Sequence, residues 1–95
     1  MNYREFIKSL ELTSPSSNID GLELALWHAA KGNWDMAHEI TQEIHTKTAS
    51  WVHAYLHRQE GDIDNAHYWY RQAGKEACLD SLEVELDHIL RSVFS

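Results

Sequence analysis

The chain has 95 residues, 43% hydrophobic and 24% charged, with four glycines and one proline; this is enough chain for one domain, with apolar material for a core and too few breakers for disorder. Eight Lys and Arg against fifteen Asp and Glu give a net charge of −7, which repels phosphate backbones and anionic lipid and argues against nucleic acid or a membrane as partner. The single cysteine, Cys78, leaves no internal disulfide and no thiolate-based zinc site. With no apolar run near ~18 residues and no signal-peptide stretch after Met1, a cytoplasmic location is expected.

In chain order, Tyr3, Phe6, Ile7 and Leu10 fall three and four residues apart and predict a first helix over 3–12. The Ser- and Pro-containing stretch Thr13–Asn18 reads as a loop whose Ser and Asn side chains suit the cap of a helix starting near Ile19. Leu22, Ala25, Leu26 and Ala29 carry that second helix to a stop at Gly32, and Trp34, Ala37, Ile40, Thr41 and Ile44 carry a third. After a turn and cap at Thr46–Ser50, a fourth helix runs to Glu60; Gly61-Asp62 then stops it and caps a fifth, with Ile63, Ala66, Tyr70 and Ala73 before Gly74. Leu82, Leu86, Ile89 and Val93 mark a last helix, with Asp80, Glu83, Glu85 and Asp87 early and Arg91 late, as the helix dipole favours. Those acids read as a solvated face. Nothing alternates with period two, so the expected fold is all-α with about six antiparallel helices.

An internal repeat is visible at an offset of 29 residues, which superposes Ala25 on Ala54, His28 on His57, Gly32 on Gly61, Asp35 on Asp64, Ala37 on Ala66 and His38 on His67. The identities fall where a helical hairpin needs a small residue for close contact or a glycine for its turn. The segments Ala25–Ala37 and Ala54–Ala66 resemble the tetratricopeptide repeat: a small residue seven before the turn glycine and an alanine five after it, with Tyr70 and Ala73 fitting the later positions of the second repeat only. Thr41 and Ile44 depart from the pattern in the first repeat, His28 and His57 stand where an aromatic is usual, and the offset is shorter than the family's ~34. The resemblance implies a short right-handed stack with a concave groove. Its parts would be a capping helix and loop over 1–18, repeat one over 19–46, repeat two over 48–75 and a capping helix over 77–95, continuing the offset. The run Glu60–Gly74 also resembles one in a group of small uncharacterised bacterial proteins, a likeness that implies no activity.

On that resemblance the groove face of the fourth helix carries Trp51, Tyr55, Arg58 and Gln59, and the last helix turns Asp80, Val84, Asp87 and His88 toward it. Trp, Tyr and Arg are the types most enriched at binding hot spots. An aromatic groove with an acidic wall favours a protein segment bearing apolar and basic residues, so the expected function is a non-catalytic protein-interaction module. The competing expectation is that Trp51 and Tyr55 are covered, with Arg58 paired to Asp87. Tyr68-Trp69-Tyr70 cannot all face one core; Tyr70 fits best, leaving Tyr68 or Trp69 for a neighbouring helix or for self-association as a homodimer or structural subunit.

Seven histidines suggest a second class of function, a metal or small-ligand site. His53 and His57 lie one helical turn apart, with His28 of the preceding repeat as the candidate third ligand. Against it, His28, His57, His38 and His67 occupy repeat-equivalent positions, which points to packing, and no metal or other cofactor is assigned. No phosphate loop, nucleophile elbow or metalloprotease motif occurs, Cys78 has no neighbouring base in sequence, and adjacent Asp87-His88 diverge on a helix, so no enzyme is expected.

Overall fold

A computed structural model describes residues 1–95, and the chain is six helices with no strand: α1 (Tyr3–Ser9), α2 (Gly21–Ala30), α3 (Trp34–Gln42), α4 (Lys47–Glu60), α5 (Ile63–Ala73) and α6 (Leu82–Val93). The all-α expectation is met. None of the helices is long and apolar enough to cross a membrane.

The boundaries follow local hydrogen-bond chemistry. Asn2 and Glu5 form a capping box, and the side chains of Asn33, Thr46, Asp62 and Ser81 each accept from the backbone N–H three residues on. The expected Ser or Asn cap of α2 is not used: Ser16 bonds to Asn18, and the cap position falls to Asp20, whose side chain makes no capping bond. α1 also stops at Ser9, short of residue 12; the Ser9 hydroxyl bonds back to the Phe6 carbonyl and the backbone continues in turns. The largest departure is α6, which begins at Leu82 where continuation of the repeat offset places a helix from residue 77. Gly74 ends α5 at φ 72°, and residues 75–81 remain non-helical until Ser81 supplies the next cap.

α2 packs on α3 and α4 on α5, α3 against α4 joins the two hairpins, and α6 lies mainly on α4 with a smaller contact to α2. Ala25, Ala37, Ala54 and Ala66 are all buried at the helix contacts, as small residues must be where backbones approach closely. The main core gathers Phe6, Leu26, Trp27, Val52, Tyr55, Leu56, Ile89, Leu90 and Phe94. Phe6 and Phe94 meet with ring centroids 4.6 Å apart, so the first and last helices cover the core together rather than at opposite ends.

Gly61 closes α4 at φ 89°, a conformation that costs an L-residue about 1–2 kcal/mol. A Cβ built there meets nothing within 4 Å. Gly61→Ala is therefore expected to cost about 1–2 kcal/mol through the backbone alone, lowering the melting temperature by roughly 4–8 °C per kcal/mol in thermal unfolding followed by circular dichroism.

Candidate functional site

Trp51, Tyr55 and Arg58 do share one face of α4, but α6 lies across it. Four residues before buried Ile89, Glu85 sits on the inward face of α6 and is 1% exposed. Its carboxylate accepts from the Trp51 indole N–H at 3.2 Å, the Tyr70 hydroxyl at 2.6 Å and the Arg58 guanidinium at 2.9 Å. The second Arg58 amino group donates to the Asp80 carbonyl. Tyr55 is 3% exposed within the main core. The concave groove expected at these residues is thus closed. Trp51 keeps only an edge on a cleft of about 290 Å³ shared with Glu85, Cys78 and His88, and the Lys75 ammonium sits 4.1 Å from the centre of its ring.

The acidic wall is also rearranged. Arg58 pairs with Glu85 and not with Asp87, because Asp87 points toward α1 and accepts from the Tyr3 hydroxyl and from Arg91 Nε at 2.8 Å. The side chains of Gln59 and Asp80 remain exposed. Burial, then the Glu85 contact, raises the pKa of Tyr70, and burial raises that of Tyr55, so both phenols stay protonated and Tyr70 remains a donor to Glu85.

A second constellation lies at the junction of α3, α4 and α5. His38 of α3 and His53 and His57 of α4 place one ring nitrogen each within 4.8 Å of the others. The Nε2 atoms of His38 and His53 are 3.0 Å apart, and His57 Nδ1 is 2.6 Å from Glu60 Oε2. Two indoles brace the group: Trp34 stacks on His38 at 4.8 Å and Trp69 on His53 at 3.8 Å, each within 9° of parallel. Trp34 is itself anchored by its N–H to the Leu56 carbonyl at 2.7 Å. His28, the third ligand expected from the sequence, lies elsewhere, edge-on to Trp27; the third member is His38, carried in by the helix that precedes α4. Trp69 is committed to His53, so of the aromatics considered for self-association only Tyr68 is largely exposed. Beside the histidines opens a cleft of about 430 Å³ whose lining includes His53, Ser50, Gln42, Tyr68 and Trp69.

The third feature is apolar. Ile63, Ala66, Tyr70, Ala77, Cys78 and Leu79 line, with Arg58 and His67, a cleft of about 200 Å³ between α5 and the segment leading to α6. Leu79 at its rim is 95% exposed and Ile63 48%.

Compared with family models, curated proteins and solved structures, the chain matches none. Its sites therefore rest on their own chemistry. Two residues central to them were passed over in the sequence. Glu85 lies three after Leu82 and four before Ile89, a position on the apolar stripe that marks a buried acid. His38 was masked by its match to His67, which is exposed and far less consequential.

Glu85→Ala strips the buried Tyr70 hydroxyl and the half-buried Trp51 and Arg58 donors of their acceptor and is expected to cost about 3–5 kcal/mol in urea unfolding, against at most a few tenths for Glu83→Ala on the exposed side. The histidine junction gives a pH signature. Burial, followed by the neighbouring His38 and His57, lowers the pKa of His53 to about 4, and burial also lowers that of His38. The unfolded chain, with His near ~6.5, then binds protons that the folded chain refuses, so stability is complete above pH ~6.5 and falls as pH drops toward 4. Denaturation from pH 7.5 to 4 should show a His53 contribution of up to about 3 kcal/mol, absent in His53→Phe.

Proposed function

We propose that the chain is a non-catalytic, cytoplasmic protein-interaction module of tetratricopeptide-like hairpins that takes its partner at the cleft between α5 and residues 75–81. The observation that carries this is Leu79, 95% exposed beside Ile63 on the rim of an apolar cleft. A leucine fully out in water gives up about 1.5–3 kcal/mol that burial would return, and clustered apolar exposure of this kind is characteristic of contact surfaces. The repeat character is supported by Gly32 and Gly61, which turn the two hairpins with φ 84° and 89°, and by the equivalent buried pairs Ala25/Ala37 and Ala54/Ala66. Exposed Asp62, Asp64, Asp80 and Glu83 lie close in sequence to the rim residues, in a chain of net charge −7. The matching partner is a segment with an apolar anchor and basic flanks. Relative to the groove expected from the sequence, the contact moves one face over, with Arg58 as the shared residue: its guanidinium lines this cleft while holding Glu85.

Affinity capture from native lysate with wild type, Leu79→Met and Leu79→Asp tests this. A protein held by the first two, lost with Leu79→Asp and released by salt is expected, with unchanged circular dichroism in all three. Retention of the same protein by folded Leu79→Asp, or no specific protein with wild type, would overturn it.

A further inference from the structure

We infer that His38, His53 and His57 form a three-imidazole site for a borderline divalent transition ion, of the zinc and nickel class. A tetrahedral ion with metal–nitrogen bonds of ~2.0–2.1 Å holds its ligand nitrogens about 3.3 Å apart. His38 and His53 already present their Nε2 atoms to one another at 3.0 Å, and all three ring nitrogens fall within 4.8 Å.

The surroundings are those of a held ligand set. His53 and His57 stand one turn apart on α4 with rings stacked 4.9 Å apart, so both project from the helix in the same direction. Glu60 can only accept, so its 2.6 Å contact puts the His57 proton on Nδ1 and leaves the Nε2 lone pair free. A carboxylate behind a histidine in this way fixes tautomer and ring orientation in metal sites. Trp34 and Trp69, stacked on His38 and His53, fix the other two rings.

Packing alone is a poor account of this arrangement. At the 29-residue offset the counterpart of His53 is Leu24, an aliphatic side chain. The cluster therefore does not follow from the repeat and occurs only where α3 meets α4. The donor set also selects the ion: three imidazoles without thiolate suit zinc, nickel, cobalt or copper, and do not suit calcium or magnesium, which require oxygen ligands. Of the three, His53 lines the 430 Å³ cleft and His38 is only half-buried, so the cluster lies near solvent at two of its members. The overlapping set His57, Glu60 and Asp62 has only one buried member, its two carboxylates being exposed.

The test uses the full chain prepared without a histidine tag, stripped with chelator and titrated with cobalt(II), with visible absorption as readout and zinc as competitor. One ion per chain with tetrahedral cobalt bands, displaced by zinc, is expected. His38→Gln and His53→Gln should each weaken binding by about tenfold or more, Glu60→Gln by about tenfold, and His28→Gln not at all. Nickel or copper should quench indole fluorescence in wild type, and less in Trp69→Phe, because Trp69 stacks directly on a ligand. Absence of stoichiometric cobalt or zinc binding to the folded wild type overturns the site, as does binding that folded His38→Gln retains in full. Should His53→Gln fail to fold, the wild-type titration and the partly exposed His38 decide.

Discussion

A carboxylate almost wholly removed from water sets the terms for half of this fold. Glu85 enters the core on the inward face of α6, and a buried carboxylate is tolerable only when its oxygens are fully hydrogen-bonded. Trp51 and Arg58 from α4 and Tyr70 from α5 supply those bonds. One side chain thus ties three helices and fixes how far α6 can slide along α4, since losing register would strand both the acid and the guanidinium. Apolar contact among Leu56, Ile89 and Leu90 brings α6 to the bundle; the directional bonds choose where it stops.

The same constraint decides which side chains reach the surface. Trp51, Arg58 and Tyr70, of the types enriched at binding hot spots, are turned inward to satisfy Glu85, while at the neighbouring cleft Leu79 stands out in water. Hot-spot chemistry and core-lock chemistry draw on the same types, because Trp, Tyr and Arg combine large apolar area with a polar end that must find a partner. Only the position of the acceptor separates the two roles, and here the acceptor belongs to the chain itself.

At the other side of α4 the hairpin junction is polar. Three imidazoles and two indoles pack between α3, α4 and α5. His38 and His53 bond to each other, His57 to Glu60 and the Trp34 indole to the Leu56 carbonyl, and no buried side-chain polar atom is left without a partner. Burial holds the pKa of His53 and His38 below the ordinary histidine value, which couples the packing of the two hairpins to proton concentration.

How much of this could be read in advance follows from the range of the interactions. Caps at Asn33, Thr46, Asp62 and Ser81 and stops at Gly61 and Gly74 act within three or four residues, so the sequence by itself determined that the chain is all-helical and where most helices begin and end. The periodicity of Leu82, Leu86 and Ile89 likewise set which face of α6 is buried, and Glu85 lay legibly on that face even though its acidity suggested solvent. Partners across 15 to 34 residues were not legible. The pairing of Glu85 with Trp51, Arg58 and Tyr70, and the choice of His38 over His28 beside His53, depend on which helices meet and at what crossing. Only the tertiary structure decided these, because a side chain's partner is fixed by packing between helices, and local sequence carries no term for it.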